Sequence, residues 1–487
     1  MASKVEAGKL EWRISVDNET TKRLVPKSGP SERIFIWLKG LITKTWRIGA
    51  DDPAKVVHCL KVGLALSLVC IFYYMRPLYD GVGGNAMWAI MTVVVVFESN
   101  VVSGNYVDLY VYVSPPCTIG ATFSKCVNRV VATILAGSLG IAVHWVATQS
   151  GEAEIFVIGS SVFLFAFAAT YSRFVPSFKS RFDYGAMIFI LTFSLVSVGG
   201  YRVDKLVDMA QQRVSTIAVG TSICIIITIF ICPIWAGTQL HRLVQHNFIK
   251  LADSLDGCVA EYFKKRDVST NENEYETNTK VQGFKCVLNP KGTEEAMANL
   301  ARWEPAHGSF NFRHPWQQYV KIGAAMRRCA YCLENLSICM NYETEVPDQV
   351  KKHFREACMK LSAASSKIMR ELADILKNTR RSSKMDFLVF DMNSAVQELQ
   401  ETLKTIPIQT NKPEEEEEVP SAEDRTIPMT LHEVLPVATL VSLLIENAAR
   451  IQTTVEAVDV LASLADFKQD SKKKTGDNNT NQPPLSS

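Results

Sequence analysis

The sequence has few of the features that mark an enzyme or a disulfide-bonded protein. Over its 487 residues it has no glycine-rich phosphate-binding motif, and no catalytic constellation accompanies its eight histidines. Its twelve cysteines are scattered, many of them in apolar segments, which is typical of reduced, buried thiols rather than of a disulfide framework. Cys329 and Cys332 form a CxxC pair without a second pair or a histidine at zinc spacing. We therefore expect no enzymatic activity, no cofactor, no metal site at this cysteine pair and no nucleic-acid partner.

Long apolar runs are absent from the second half of the chain and dominate the first half. About 18 or more consecutive apolar residues predict a transmembrane helix. By this criterion we predict a transmembrane domain at 53–238. Its six predicted spans lie near residues 58–74, 85–97, 120–147, 155–171, 184–198 and 214–235.

The charges outside the predicted spans indicate their orientation. Residues 1–52 are rich in Lys and Arg but have no apolar core with a small-residue cleavage site, so they form a basic arm rather than a secretory signal peptide. Arg173, Lys179 and Arg181 lie between spans four and five, whereas the link at 149–154 has acid and no base. Because short loops rich in Lys and Arg stay in the cytoplasm, we expect both termini to be cytoplasmic.

The remaining sequence at 239–468 is charged and amphipathic, and it predicts a cytoplasmic helical-bundle domain. An acidic linker at about 411–427 interrupts this domain, and a polar, disordered tail at 469–487 follows it. The predicted fold class is an all-α membrane protein with six transmembrane helices followed by this bundle.

One loop of the second half, WEPAHGSFNFRHPW at 303–316, is rich in aromatic residues. It begins with Trp303, Glu304 and Pro305, which we interpret as a structural motif. Packing between the domains is favoured over chemistry for this loop.

The third predicted span carries two cations that lipid would not favour. Helical spacing places Lys125 and Arg129 on one face beside small and polar residues, and Arg213 begins a similar stripe in span six. A charge inside a bilayer costs at least ~2.5–3.5 kcal/mol and usually faces a water-filled cavity. No acid within the two spans neutralises the cations, although Glu98 is near enough in sequence to pair with one of them. The pattern predicts an anion pathway suited to carboxylates. The alternative is that these cations lie near the helix ends and extend to the interface.

Three acids lie in the predicted outer loops. Asp204 and Asp208 are four residues apart before span six, and Asp80 lies in another outer loop. Their hard oxygen ligands predict a site for a multivalent cation. The alternative is that they are ordinary solvated loop acids.

Taken together, several stretches resemble the plant aluminium-activated malate transporter family. The matching stretches are NAMWAIMTVVVVFE (85–98), GATFSKCVNR (120–129), FDYGAMIFILTFSL (182–195), QQRVSTIAVG (211–220), CPIWAGTQLH (232–241) and WEPAHGSFNFRHPWQQYVKIGA (303–324). The resemblance implies a dimeric, malate-conducting anion channel with six spans and a helical cytoplasmic domain. It implies that Lys125, Arg129 and Arg213 line the pore. The family's outer acids match Asp208 and, more loosely, the other two aspartates, and a plasma membrane location is favoured over the vacuolar membrane.

The chain departs from the family pattern at about 102–119. In the family VVVVFE runs almost directly into GATxxKxxNR, whereas here about eighteen residues intervene. Their composition resembles translated intron, so we hypothesise an alternative gene model or splice product. Sequencing the transcript tests this, because messages that uniformly carry these codons would contradict it.

Two other functions stay open beside a passive channel. A proton-coupled organic-acid exporter needs a titratable intramembrane group, for which Glu98 and His144 are the candidates. A non-conducting membrane scaffold would act through its cytoplasmic bundle and would not need Arg129.

Overall fold

The computed structural model describes residues 53–75, 86–97, 118–199, 206–264, 282–311, 313–341, 347–405 and 431–469, together with the isolated residues 39, 43 and 50. This part of the chain is almost entirely α-helical, which confirms the all-α class. The basic arm, the acidic linker, the tail and most of the predicted insert lie outside the described residues.

The described residues of the first half contain six helices, and each corresponds to one predicted span. They are α1 (Pro53–Tyr74), α2 (Ala86–Phe97), α3 (Ile119–Gln149), α4 (Glu154–Ser172), α5 (Pro176–Gly199) and α6 (Leu206–Phe230). The sixth span was expected to continue to residue 235, but α6 ends at Phe230. Pro233 explains the difference, because proline lacks the amide hydrogen of a helix and disfavours helical geometry in the preceding residue.

Within the described residues, five helical stretches are long and apolar enough to cross a membrane. Four of them belong to the first half, and the fifth, Val434–Leu464, belongs to the second. The expectation that the second half has no such run is therefore wrong. Met87–Phe97 is a shorter apolar helix, and α5, which holds the predicted fifth span, does not meet the criterion over its described residues.

Helix α3 lies at the centre of the first half and packs against α4, α5 and α6, while α2 packs against α6. Small residues allow two of these close crossings. A Cβ at Gly140 would approach the Val196 side chain to 2.7 Å, and one at Gly220 would lie 3.0 Å from Thr92 Cβ. Such close contacts of small residues stabilise helix pairs in lipid, where the hydrophobic effect does not draw helices together.

The second half is a set of helices around one continuous apolar core. They are α7 (Ala236–Tyr262), α8 (Lys285–Leu288), α9 (Lys291–Ala301), α10 (Trp316–Asn341), α11 (Asp348–Asn378), α12 (Met385–Lys404) and α13 (Leu431–Leu464), with a 3₁₀ turn at Gln282–Phe284. Two short strands, β1 (Arg380–Arg381) and β2 (Lys468–Gln469), pair in parallel. The helical character that amphipathic patterning predicted for this region is observed, because these long helices bury an apolar face.

Helix α13 is apolar on most of its surface, yet it packs against α10, α11 and α12. Val437, Leu440, Val441 and Leu444 are all buried in the same core as the other bundle helices. Hydropathy does not separate such a core helix from a membrane span, since both are long and apolar.

Candidate functional site

Arg129 lies deep within α3 and is almost completely buried, with 3% of its surface exposed. At a rise of about 1.5 Å per residue, it lies about 15 Å from the start of the helix, roughly half the thickness of a bilayer core. Its Nη1 donates a hydrogen bond of 3.1 Å to the hydroxyl of Tyr184 on α5. Its Nε is buried and has no hydrogen-bond partner among the described residues. Such depth argues against an arginine that extends to the interface.

Lys125 lies one turn before Arg129 on the same face of α3 and is half-buried. Its Nζ donates to the carbonyl oxygens of Val96 at 3.2 Å and Val95 at 3.5 Å. These carbonyls belong to the last turn of α2, where the helix dipole places partial negative charge. Lys125 therefore stabilises the C-terminal end of α2 while adding positive charge to the face of α3 that carries Arg129.

Arg213 lies on α6, and its guanidinium carbon is 4.3 Å from the centroid of the Trp88 ring on α2. This distance is typical of a cation–π interaction. Its Nε is buried and has no hydrogen-bond partner in the described part of the chain. Arg213 thus provides a cation held by an aromatic face.

A cavity of about 340 Å³ lies between α3, α5 and α6. Arg213 lines it on α6, together with Thr133 and Ser138 of α3 and Thr192 of α5, and the surface of the cavity is mostly apolar. Thr133 is one turn beyond Arg129, and its hydroxyl donates to the Arg129 carbonyl at 2.7 Å. The cavity therefore begins one helical turn beyond the buried arginine and brings Arg213 to the same side of α3.

Sequence reasoning missed a further cation, Lys61 on α1. Its side chain is completely buried, and its Nζ donates to the carbonyl of Cys232 at 3.1 Å. The sequence did contain an indication of this residue, because Lys61 is a charged residue within the first predicted span. A charge within a predicted span is also the feature by which Arg129 was identified.

The predicted acidic site is not tested, because Asp80 and Asp204 lie outside the described residues. Asp208 falls within α6, but its side chain is not described, and Glu98 also lies outside the described residues. Among the residues that were described, no group of three or more His, Cys, Asp and Glu side chains is arranged to hold a metal ion.

Glu304 of the aromatic loop caps the start of α7. Its Oε1 accepts a hydrogen bond of 2.6 Å from the amide of Ala236, and its Oε2 accepts one of 3.0 Å from Gly237. The amide of Gly120, in the first turn of α3, also donates to this carboxylate. Negative charge stabilises the N-terminal end of a helix. One buried carboxylate therefore joins the start of the cation-bearing helix α3 to the start of the bundle.

The rest of the aromatic loop reinforces this junction. The His307 ring stacks on Trp235 with ring centroids 3.7 Å apart, and its Nδ1 lies 3.0 Å from the Pro305 carbonyl. Trp303, half-buried, follows α9 and donates its amide to the Leu300 carbonyl. The motif residues thus lie at the contact between the two halves of the chain.

Burial changes the ionisation of several groups in and near this loop. It raises the pKa of Glu304, against the opposing effect of the three amides that bind it and of His307. It lowers the pKa of His241, and it lowers the pKa of His314 to about 4. Both histidine rings lie near the Tyr319 hydroxyl, at 2.8 Å from His241 Nδ1 and 3.2 Å from His314 Nε2. The neutral forms of these histidines are therefore favoured in the folded protein.

Comparison with known proteins identifies relatives along nearly the whole chain. A family model described as aluminium activated malate transporter matches residues 46–104, 109–420 and 405–462. The chain is 78% identical to aluminum-activated malate transporter 10 of Arabidopsis thaliana, over 99% of each chain. It is 40% identical to aluminum-activated malate transporter 2 of the same plant, over 91% of this chain and 81% of the relative. It is 36% identical to aluminum-activated malate transporter 1 of Triticum aestivum, over 88% of this chain and 86% of the relative.

Proposed function

The chain belongs to the aluminium-activated malate transporter family, and from this premise we propose that it moves malate and other anions passively across a plant membrane. The pathway is lined by the basic residues Lys125, Arg129 and Arg213. As a member of a transporter family with several apolar helices, the protein is an integral membrane protein.

Arg129 is the observation that carries this proposal. It is buried in the first third of α3, and within the described residues its guanidinium pairs with a phenol and with no acid. An arginine remains charged in proteins, so its charge at this depth needs a compensating anion or water. A dicarboxylate that passes Arg129 provides the negative charge that compensates the guanidinium. The planar guanidinium can donate two parallel hydrogen bonds to one carboxylate group.

The neighbouring cations extend this site into a pathway. Lys125 lies towards the start of α3, Arg129 follows one turn later, and the cavity beside Arg213 begins after another turn. Successive cations along an aqueous passage favour anions and exclude cations.

The finer arrangement is part of the same proposal. We place six spans at 53–238, both termini in the cytoplasm, and a cytoplasmic bundle at 239–468, in a homodimer at the plasma membrane. The exposed side chains of Lys179 and Arg181, close to the α4–α5 link, support the orientation, since basic short loops stay inside.

Two further parts of the proposal concern residues that lie mostly outside the described structure. Asp80, Asp204 and Asp208 form an outer site for a multivalent cation such as aluminium. The segment at about 102–119 is an insert from an alternative gene model, and the break in the family match between residues 104 and 109 falls inside it.

The test is current recording in oocytes loaded with malate, with surface protein measured in parallel. We expect outward malate flux in the chain or in a version without residues 102–117, which keeps the Thr118 cap and Ile119 at the start of α3. We expect Arg129→Ala to abolish this flux. Tyr184→Phe removes the hydroxyl that holds Arg129 and should reduce the current a few-fold. Lys264→Ala, which removes an exposed cation of the second half, is the matched control and should leave the current unchanged.

The other outcomes distinguish the alternatives. Currents that persist in Arg129→Ala would contradict the basic pathway. Malate flux that follows the proton gradient rather than the anion gradient would identify a coupled exporter. Absence of current in every version, with protein at the surface and aluminium and voltage both varied, would favour a non-conducting scaffold.

A further inference from the structure

The turn between α6 and α7, at residues 231–235, is held by several elements that are distant in the chain. The carbonyl of Cys232 accepts a hydrogen bond of 3.1 Å from Lys61 Nζ on α1. The carbonyl of Ile234 accepts one of 2.9 Å from the amide of Ile119, the first residue of α3. The last residue of the turn stacks on the aromatic loop. This α6–α7 turn is thus a common attachment point for α1, α3 and the loop before α10.

Lys61 is an unusual residue for its place in α1. It lies about 12 Å from the start of the helix at about 1.5 Å per residue, and its side chain is completely buried. An ionisable side chain inside the membrane is expensive and is retained where it has a specific partner. The carbonyl of Cys232 is such a partner, because it follows the C-terminal end of α6, where the helix dipole is negative.

The backbone of Cys232 is held in an unfavourable conformation. Its φ is 44°, in the left-handed region that residues other than glycine rarely adopt. This geometry is unfavourable for a residue that carries a side chain, so surrounding contacts must maintain it. The hydrogen bond from Lys61 acts on this same residue.

The turn also determines where α3 begins. Ile119 binds the turn directly, and Lys125 and Arg129 follow six and ten residues later on the same continuous helix. Because a helix is stiff along its axis, a displacement of its first residue moves these cations with it. The position of the turn therefore sets the position of the proposed pathway residues.

We propose that Lys61 is a positioning residue for the anion pathway, which acts by holding the Cys232 carbonyl and so fixing the α6–α7 turn and the start of α3. This role rests on the proposed transport function. Because Lys61 is completely buried, it acts as a hydrogen-bond donor and does not contact the permeating anion.

A pair of substitutions separates this role from a role of the charge. Lys61→Gln removes the charge but keeps a donor near the carbonyl, whereas Lys61→Met removes both. In surface-corrected recordings of malate current, we expect Lys61→Met to lose at least fivefold and Lys61→Gln to keep at least half.

A second readout follows the turn itself, independent of current. The side chain of Cys232 is exposed, so its labelling by a maleimide reports the turn in the full chain in membranes, with peptide mapping by mass spectrometry. We expect Lys61→Met to change the Cys232 labelling rate at least threefold and Lys61→Gln to leave it near that of the parent. Cys286, half-buried in α8, is the internal reference and should label equally in all versions.

Equal loss of current in both variants with unchanged Cys232 labelling would overturn the proposal, because the charge alone would then matter. Unchanged current and labelling in Lys61→Met would also overturn it. If Lys61→Met does not reach the membrane, Lys61→Gln decides, since loss of its current contradicts a donor role and retention supports it. If the parent chain carries no malate current, the transport function fails, while the labelling difference still decides whether Lys61 holds the turn.

Discussion

The Oε1 atom of Glu304 accepts a 2.6 Å hydrogen bond from the amide of Ala236, a residue 68 positions earlier in the chain. This contact connects the aromatic loop to the first turn of α7. The same carboxylate binds the amide of Gly237, so both oxygens are used at one helix end. Its burial, with 3% of the residue exposed, makes each of these bonds costly to lose.

We expect Glu304→Gln to destabilise the protein. The substitution replaces one accepting oxygen with a donor and removes the negative charge at the start of α7. Loss of a buried, charge-assisted hydrogen bond costs about 1–3 kcal/mol, so the melting temperature of the purified full chain should fall. Glu295→Gln, at an exposed position of α9, is the matched control. Equal melting temperatures for the two variants would show that the cap contributes nothing.

We expect Gly120→Ala to disrupt the contact between α3 and α9. A Cβ at this position would overlap the carbonyl oxygen of Leu300 and would lie 3.1 Å from Glu304 Cγ. Backbone cannot yield as a flexible side chain does, so the start of α3 must move away from α9.

Surface expression in oocytes and the melting temperature measure the effect of Gly120→Ala. Gly159→Ala, on α4, is the control because a Cβ there meets nothing within 4 Å. Normal expression and melting of Gly120→Ala would mean that α3 and α9 are not in close contact in the assembled protein.

The stability of the folded protein should depend on His314 as the pH falls. Burial holds the pKa of His314 at about 4, below its ordinary value of 6.5. The unfolded chain therefore binds this proton first, and the stability that the neutral ring provides is present above pH 6.5 and lost as pH falls towards 4.

Comparison of the parent chain with His314→Gln isolates this contribution from the other titrating groups. The difference in melting temperature between them should be larger at pH 7.5 than at pH 5. His353→Gln, at an exposed position of α11, should show no such change. A difference that grows on acidification would contradict the sign of the shift.

The features that could be predicted from the sequence are those set by local periodicity. The stripe that carries Lys125 and Arg129 follows from helical spacing alone, and the structure places both on the same face of α3. The long helices of the second half were predicted in the same way. In an amphipathic helix, the spacing of the apolar residues along the sequence identifies the face that is buried.

The remaining features depend on contacts between distant parts of the chain. Nothing near Lys61 in sequence indicates that its ammonium binds the carbonyl of Cys232, 171 residues later. The aromatic loop was predicted as a packing motif, but its sequence does not indicate that Glu304 would cap α7. Such partners are determined by how the helices pack against one another. That packing cannot be derived from the local pattern of a single sequence.

The apolar character of α13 has a consequence for how the protein is made. A nascent segment as hydrophobic as Val434–Leu464 is a substrate for the membrane insertion machinery as well as a core element. Helices α10 and α11, against which it packs, precede it in the chain and have already been synthesised when it leaves the ribosome. Their surface competes with the translocon for α13, so the outcome of biogenesis is a kinetic partition. Damage to α10 would then change the topology of a segment more than a hundred residues downstream.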